Sequence, residues 1–235
     1  MQIRLIGGAS EVDAAAWDRL EQGRTPFSAH AFLKALEDSG SVGEGTGWQP
    51  LFLCAFDGDE LAGAVPAYAK SHSYGEYIFD WAWAEGAGRA GIAYYPKLVV
   101  MAPFTPATGH RLLTAPGEED VAAALAVAVR EAAVQLGLSS VHWLFTTEEE
   151  QRVLEAAGYG GRITLQYHWR NLGGWADFEG FLGALKGKRR REIRRERRKV
   201  LEQGVDVRML TGAEMTDGHW AGLQRFYYDT GRRKW

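Results

Sequence analysis

The sequence predicts an α/β protein with a mixed β-sheet flanked by helices. Short apolar or alternating runs, typical of strands, alternate along the chain with longer runs in which apolar residues recur at helical spacing. Glycine and other turn residues separate the runs. Hydrophobic residues make up 46% of the chain and charged residues 24%, a balance that supplies a core and excludes a disordered chain.

Within the first 170 residues or so, strands are marked by β-prone runs between turns, and helices by capping residues and apolar periodicity. Pro66 falls inside one predicted strand and indicates an edge or a bulge there. Predicted strands cover residues 2–6, 48–56, 61–70, 97–102, 140–145 and 162–170, and predicted helices cover 10–20, 28–38, 85–93, 117–136 and 147–157.

The chain changes character after its first domain, which we place at residues 1–171. The remainder, 172–235, has a short helix, a very basic helix at 186–203, a strand at 205–210 and a final helix. One strand and a few helices cannot bury a core alone. We therefore expect this partial second domain either to dock on the first domain or to pair with another chain.

The cysteine content and the apolar runs exclude two classes of protein. The single cysteine, Cys54, lies in an apolar run, so the chain forms no internal disulfide and secretion gains no support. The N-terminus lacks the apolar core of a signal peptide, and no run of about 18 apolar residues predicts a membrane span. We therefore expect a cytoplasmic protein.

Basic residues are concentrated in one segment. Residues 186–199 hold ten basic and two acidic side chains, so this segment carries +8 and the rest of the chain −11. Such a block indicates an anionic partner, RNA being one candidate, or a solvated helix that packs on acidic surface. The candidate anion-binding residues are Lys188, Arg190, Arg191, Arg194, Arg195 and Arg198.

Five segments of the chain form a recognisable set. They are SHSYGEYIFDWAWA at 71–84, YYPKL at 94–98, PFTPATGHR at 103–111, KRRREIRRERRKV at 188–200 and RKW at 233–235. This set resembles the FemAB-like family of peptidoglycan-biosynthesis or GNAT-type acyltransferases. The resemblance implies a GNAT-like mixed sheet flanked by helices, followed by the start of a second GNAT-like domain that is truncated. It also implies N-acyl or aminoacyl transfer, with a cell-wall precursor amine as one acceptor.

The aromatic and polar segment at residues 71–95 fits neither the strand nor the helix period. His72, Glu76 and Asp80 are the candidate catalytic residues, because acyl transfer to an amine needs a base. The alternative is that these polar groups satisfy one another beneath aromatic walls. The candidate substrate-binding residues are Ser71, Ser73, Tyr74, Tyr77, Trp81, Trp83, Tyr94, Tyr95 and Lys97.

The loop at residues 103–111 is stiffened by prolines and carries polar groups. Phe104, Thr105 and Arg111 are candidates for substrate binding. The guanidinium of Arg111 can clamp a phosphate or a carboxylate through two parallel hydrogen bonds. The alternative is a surface turn in which Arg111 forms a salt bridge.

The glycine-rich loop by which GNAT enzymes usually bind coenzyme A is not found at residues 101–111. The next helix opens with Glu118, Glu119 and Asp120, which occupy the field that an anion would use. The resemblance to Fem-type proteins implies an aminoacyl-tRNA-like donor instead, so the acyl donor stays open between that and acyl-CoA. The six histidines are scattered, and we expect no metal site.

Two interpretations from other functional classes stay open. The chain is either a non-catalytic protein that binds a small molecule or peptide in an aromatic pocket, or an inactive fragment that assembles with a partner. A homodimer through the incomplete second domain is one such assembly, because an unpaired strand edge favours pairing.

Overall fold

In the computed structural model the chain divides into two structural units, Met1–Leu165 and the residues from Gln166 onwards. The structure describes residues 1–234, without the side chain of Lys234. Trp235 and that side chain, which belong to the RKW segment, therefore lie outside the described residues. The assignment of 172–235 to the start of a second domain remains a prediction.

The first unit alternates strands and helices, as the sequence predicts. A short 3-10 turn at Ala9–Glu11 follows the first strand. The elements are β1 (Gln2–Ile6), α1 (Ala14–Glu21), α2 (His30–Asp38), β2 (Trp48–Pro50), β3 (Phe52–Asp57), β4 (Glu60–Val65), β5 (Ala67–Lys70), α3 (Trp81–Arg89), β6 (Lys97–Val100), β7 (Leu113–Thr114), α4 (Glu119–Gln135), β8 (Val141–Trp143) and α5 (Glu148–Ala156).

The strands form two four-stranded sheets of mixed direction. One sheet has the order β1-β3-β4-β7 and is antiparallel throughout, and the other has the order β2-β5-β6-β8, in which β6 and β8 run parallel. The predicted mixed α/β class is therefore confirmed. The expected single sheet is instead divided in two.

The division comes from breaks in the two long strands predicted at 48–56 and 61–70. Their central parts form an antiparallel hairpin, β3 and β4, but residue 51 separates β2 from β3 and Pro66 separates β4 from β5. Proline has no N–H to donate to a ladder and favours such a break. Leu51 N donates to Ala67 O at 2.8 Å, which holds the crossing point together.

Helices cover both faces of the strands. In β3, Phe52 and Cys54 pack with the residues of α1 and α2, whereas Leu53 and Ala55 pack with α4. This alternation follows from the strand period of two and explains why the strand is apolar throughout. Burial raises the pKa of Cys54 to about 12, so its thiol stays protonated near neutral pH, as expected of an inert core residue.

The second unit contains three described α-helices, α6 (Phe178–Ala184), α7 (Gly187–Glu202) and α8 (Asp217–Lys234), and a short 3-10 turn at Gly212–Glu214. The basic helix predicted at 186–203 is confirmed as α7. The strands predicted at 162–170 and 205–210 are wrong, since both segments are irregular, with Ile163 97% and Met209 94% exposed. An alternating run becomes a strand only beside a partner, and no described strand pairs with either segment.

None of the helices within residues 1–234 has the length and apolar character needed to cross a bilayer.

Candidate active site

A buried group of charged side chains lies between the segment that follows β5 and the start of β6. Lys97 Nζ donates to Glu76 Oε2 at 2.7 Å, to Asp80 Oδ2 at 2.6 Å and to Ser73 Oγ at 3.0 Å. Glu76 and Lys97 are 0% exposed and Asp80 is 6% exposed. One ammonium therefore serves two carboxylates in the interior, where removal of a single partner is costly. We call Lys97, Glu76 and Asp80 the buried cluster.

Two tyrosine hydroxyls extend the buried cluster towards the surface. Tyr94 OH donates to Asp80 Oδ2 at 2.7 Å, and Tyr95 OH lies 2.6 Å from Ser73 Oγ. Both tyrosines are half-buried. The interior charges are therefore hydrogen-bonded, directly or through Ser73, to two tyrosines that are partly exposed to solvent.

The two carboxyls of the buried cluster have pKa values that are shifted in opposite directions. Burial raises the pKa of Glu76 even though the hydrogen bond and charge of Lys97 oppose it. Burial also acts to raise the pKa of Asp80, but the hydrogen bonds that Asp80 receives, the largest from Lys97, outweigh burial and lower it. Opposite shifts within one pair of carboxyls are typical of sites that carry out acid and base chemistry.

Lys70 is a second buried lysine, which the sequence pattern did not reveal. It lies directly opposite Lys97 in the β5–β6 pair, with its Nζ 3.7 Å from the ring centroid of Trp48. Burial lowers the pKa of Lys70 to about 7, with Glu76 opposing this shift and Lys97 adding to it. Part of the Lys70 population is therefore a neutral amine near pH 7. Only the register between two strands 27 positions apart brings the lysines together.

The structure corrects the expected base role of His72. Its Nδ1 accepts from Tyr74 N at 3.2 Å and lies 3.3 Å from Lys70 Nζ, while its Nε2 lies 3.1 Å from Thr46 O. Both ring nitrogens are thus engaged within the protein, which leaves no free lone pair for a substrate amine. A Cβ at Gly47 would lie 2.2 Å from His72 Nε2, so the close approach requires glycine there.

An exposed group of aromatic side chains belongs to the same segment as the buried cluster. Tyr74, Tyr77, Phe79, Trp81 and Trp83 are between 43% and 76% exposed, and we call them the aromatic surface. The rings of Tyr74 and Trp81 are 5.0 Å apart. Exposed apolar patches on monomeric proteins often mark binding sites, so this group is a candidate binding surface.

Backbone strain is concentrated near the aromatic surface. Tyr77, Phe79 and Phe104 have φ values of 60°, 52° and 60°, in the left-handed region that side chains with a Cβ disfavour. The ring of Phe104 packs on Trp48 with centroids 5.1 Å apart. Strain of this kind persists where the surrounding structure imposes it, and it is enriched at functional sites.

Arg111 is not the ligand clamp that the sequence suggested. Its side chain is buried and donates to three backbone carbonyls, those of Leu144 at 3.0 Å, Ala107 at 2.7 Å and His110 at 3.2 Å. Burial lowers its pKa to about 10, with the charge of Glu150 opposing that shift. The alternative of a surface salt bridge is also wrong, because the Arg111 side chain is buried and bonds to carbonyls of its own loop.

Glu150 fastens the other end of the same loop. The backbone N–H groups of Arg111 and Leu112 both donate to Glu150 Oε1, and Glu150 also forms the capping box of α5 with Thr147. Thr105 Oγ1 donates to Pro103 O at 3.0 Å, within the loop. Of the binding residues predicted here, Phe104 is exposed, Thr105 is half-buried and Arg111 is buried.

The side chains of the buried cluster are closed off from solvent. Lys97 pairs with Glu76 and with Asp80 in the interior, although one oxygen of each carboxylate has no donor among the described residues, and Ser71 is exposed in the same segment. A cavity of about 550 Å³ lies instead along α8 and contains none of the predicted site residues. It is lined by Arg225, Phe226, Tyr228, Asp229 and Arg232.

The predicted anion-binding residues all lie on α7, none of whose side chains is buried. Arg194 pairs with Glu179, and Arg190 is half-buried. Arg191, Arg195 and Arg198 are exposed and recur at the spacing of one helix face. Lys188 is exposed as well.

Two acetyltransferases are similar to this chain in structure. The apo aminoglycoside 6'-N-acetyltransferase of Acinetobacter haemolyticus is 14% identical over 73% of this chain and 99% of that chain, with a TM-score of 0.45. The aminoglycoside N-acetyltransferase AAC(6')-Iy in complex with CoA is 16% identical over 72% and 99%, with a TM-score of 0.41.

No curated protein matches the chain. A family model named FemAB-like and described as peptidoglycan biosynthesis/recognition matches residues 8–235. Because this match spans nearly all of the sequence, the chain belongs to the FemAB-like family.

Proposed function

We propose that the chain is an N-acyltransferase or aminoacyltransferase that modifies an amine of a peptidoglycan precursor. The observation that carries the proposal is the arrangement of residues 73–97, in which a buried cluster of carboxylates and lysine lies in the same segment as an exposed, strained aromatic surface. The family description supports the acceptor class.

The aromatic surface is proposed to bind the acceptor. Rings such as those of Trp81 and Trp83 attract a cationic amine through their π faces and also pack against apolar parts of a peptide. Arg162 already lies 4.1 Å from the ring centroid of Trp83, which illustrates that this ring accepts a cation. The two carboxylates of the buried cluster add an attraction for the incoming ammonium.

The buried cluster is proposed to take the proton that the amine loses. As the nitrogen attacks the acyl carbon, the new C–N bond forms and the bond from the acyl carbon to the donor oxygen or sulfur breaks. The proton that the nitrogen gives to the buried cluster is then returned to that leaving oxygen or sulfur. Tyr94 OH, which donates to Asp80, passes the amine proton inwards. Lys97 Nζ, which donates to both Asp80 and Glu76, connects this path to Glu76, whose pKa is raised by burial.

For the acyl donor, an aminoacyl-tRNA-like molecule is our first choice and acyl-CoA the second. Glu119 and Asp120 occupy the first turn of α4, where their charge opposes a pyrophosphate at the helix N-terminus. The exposed basic residues of α7 suit the phosphates of an RNA-borne donor.

A specific observation favours a second candidate, non-catalytic recognition of the same acceptor. Glu76 and Asp80 are sealed from solvent, and a sealed carboxylate orients its neighbours more readily than it meets a substrate. In that case the aromatic surface binds the precursor and the buried cluster holds the surface in shape. Pairing of two copies through the second unit is a further proposal, which light scattering at two protein concentrations tests.

A transfer assay separates the two candidates. The protein is incubated with labelled aminoacyl-tRNA or acetyl-CoA and an amine-bearing peptidoglycan precursor, and the product is identified by mass spectrometry. Glu76→Gln should lower the transfer rate by about a hundredfold or more. The control Glu85→Gln, at an exposed site paired only with Arg89, should leave it unchanged. Acceptor binding without transfer from either donor would favour recognition, and full activity of Glu76→Gln would refute the proton path.

A further inference from the structure

His142 brings a third ligating group to the buried cluster. It lies on β8, opposite Val99 of the parallel neighbour β6, and is half-buried. Glu76, Asp80 and His142 each offer one ligating atom, and these three atoms all lie within 4.8 Å of one another. No spacing motif signals this group, because more than sixty residues separate His142 from the two carboxylates.

Each carboxylate of the buried cluster has one oxygen without a hydrogen-bond donor. Lys97 Nζ donates to Glu76 Oε2. Asp80 Oδ2 accepts from both Lys97 Nζ and Tyr94 OH. No described residue donates to Glu76 Oε1 or Asp80 Oδ1, although both atoms are buried. Buried polar atoms are nearly always paired, so two such oxygens in one cluster indicate a ligand on the side that Lys97 does not occupy.

The charges of the buried cluster also indicate a further cation. Two carboxylates face the single ammonium of Lys97, and Lys70 adds only part of a charge because its pKa is about 7. An excess of negative charge in the interior is unfavourable unless a cation or a proton compensates it.

We propose that Glu76, Asp80 and His142 form a binding site for a divalent transition-metal ion, such as Zn²⁺ or Mn²⁺. Two carboxylate oxygens and one imidazole nitrogen are ligands that these ions accept. Tyr94 OH on Asp80 and Ser140 Oγ, 3.0 Å from His142 Nε2, act as the outer partners that orient such ligands. The sequence-based expectation of no metal site rested on histidine spacing, which does not detect mixed ligand sets.

This inference does not rest on the proposed function. Metal binding is measured without donor or acceptor, and His142 lies outside the proposed proton path. The bound ion would join the segment of Glu76 and Asp80 to β8 and stabilise the fold by mass action.

The test is a titration of the metal-free protein with Co²⁺, followed by its visible absorption, and with Zn²⁺, followed by Tm. We expect one Co²⁺ per chain and a higher Tm with Zn²⁺. His142→Ala should weaken binding by about tenfold or more. The matched control His168→Ala removes an exposed histidine of the second unit and should bind as the wild type does.

Absence of binding to the wild-type protein, or equal binding by His142→Ala and wild type, would overturn the assignment. If His142→Ala does not fold, the ring signals of His142 in NMR spectra of the wild type decide the question. Zn²⁺ should shift them, and unchanged ring signals at saturating Zn²⁺ would overturn the assignment as well.

Discussion

Two charged regions of the chain hold their charges in opposite ways. In the buried cluster, Lys97 lies 2.6–2.7 Å from both carboxylates and all three side chains are sealed from water. In α7, all basic residues except the half-buried Arg190 are exposed to solvent. Charges of the first kind depend on one another for stability, whereas charges of the second kind are hydrated, screened by salt and free to meet an anionic partner.

The largest difference between the regions is expected when one cation is removed from each. Lys97→Met leaves two buried carboxylates without their ammonium and should lower the free energy of unfolding by about 3–5 kcal/mol. Arg194→Met removes an exposed arginine of α7 that pairs with Glu179, and it should lower the free energy of unfolding by less than about 1 kcal/mol. Urea unfolding monitored by circular dichroism measures both. Equal losses would show that the buried cluster is not the more cooperative region.

Arg111 is a third kind of charged group for this comparison, because it is buried but its partners are backbone carbonyls and not carboxylates. Arg111→Met removes three hydrogen bonds to backbone carbonyls and should lower the free energy of unfolding by about 2–3 kcal/mol. The control Arg152→Met removes an exposed ion pair on α5. If Arg111→Met were as stable as wild type but bound an anionic substrate poorly, Arg111 would be a ligand after all.

The pH dependence of stability distinguishes Lys70 from the exposed lysines. The native state loses the Lys70 proton near pH 7, whereas the unfolded chain keeps it until about pH 10. Between these values the unfolded state binds more protons, so wild-type stability gains up to about 1.4 kcal/mol per pH unit from this group. Lys70→Met should lack this gain in urea unfolding from about pH 7 to pH 9. Parallel pH profiles would contradict the lowered pKa.

The smallest effect on stability is expected in α7, where the change should appear in binding instead. Replacing Arg191, Arg195 and Arg198 by alanine should leave the free energy of unfolding nearly unchanged. If α7 binds RNA, the slope of log affinity against log salt should become shallower by about 2 to 3. Fluorescence anisotropy with labelled RNA measures the slope. Alanine at Arg4, Arg19 and Arg24, three basic sites of the first unit, is the control, and an equal change there would exclude a special role for α7.

Most helices could be predicted from the sequence because their signals are local. Asp13 caps α1, Thr147 caps α5, and glycines follow the ends of α4 and α5. The strands at 162–170 and 205–210 were wrong because an alternating pattern does not determine whether a partner is present. The break of two strands between sheets was only partly predictable, from Pro66.

The candidate site was predictable in composition but not in arrangement. An unusual mixture of aromatic and acidic residues pointed to Glu76 and Asp80, and the structure places them together on Lys97. Lys70 and His142 were missed because strand register, which no local pattern records, brings them near. Arg111 was misassigned because an arginine in a turn-rich loop resembles a surface residue.

The affinity of an amine-bearing peptidoglycan precursor, measured by calorimetry, tests most directly whether residues 71–97 form the site, for an enzyme and a binding protein alike. We predict that Tyr77→Ala combined with Trp81→Ala weakens binding by about tenfold or more. Trp220→Ala combined with Tyr227→Ala, which removes two exposed aromatics from α8, should leave it unchanged. Unchanged binding in the first double variant, with loss in the second, would place the site elsewhere.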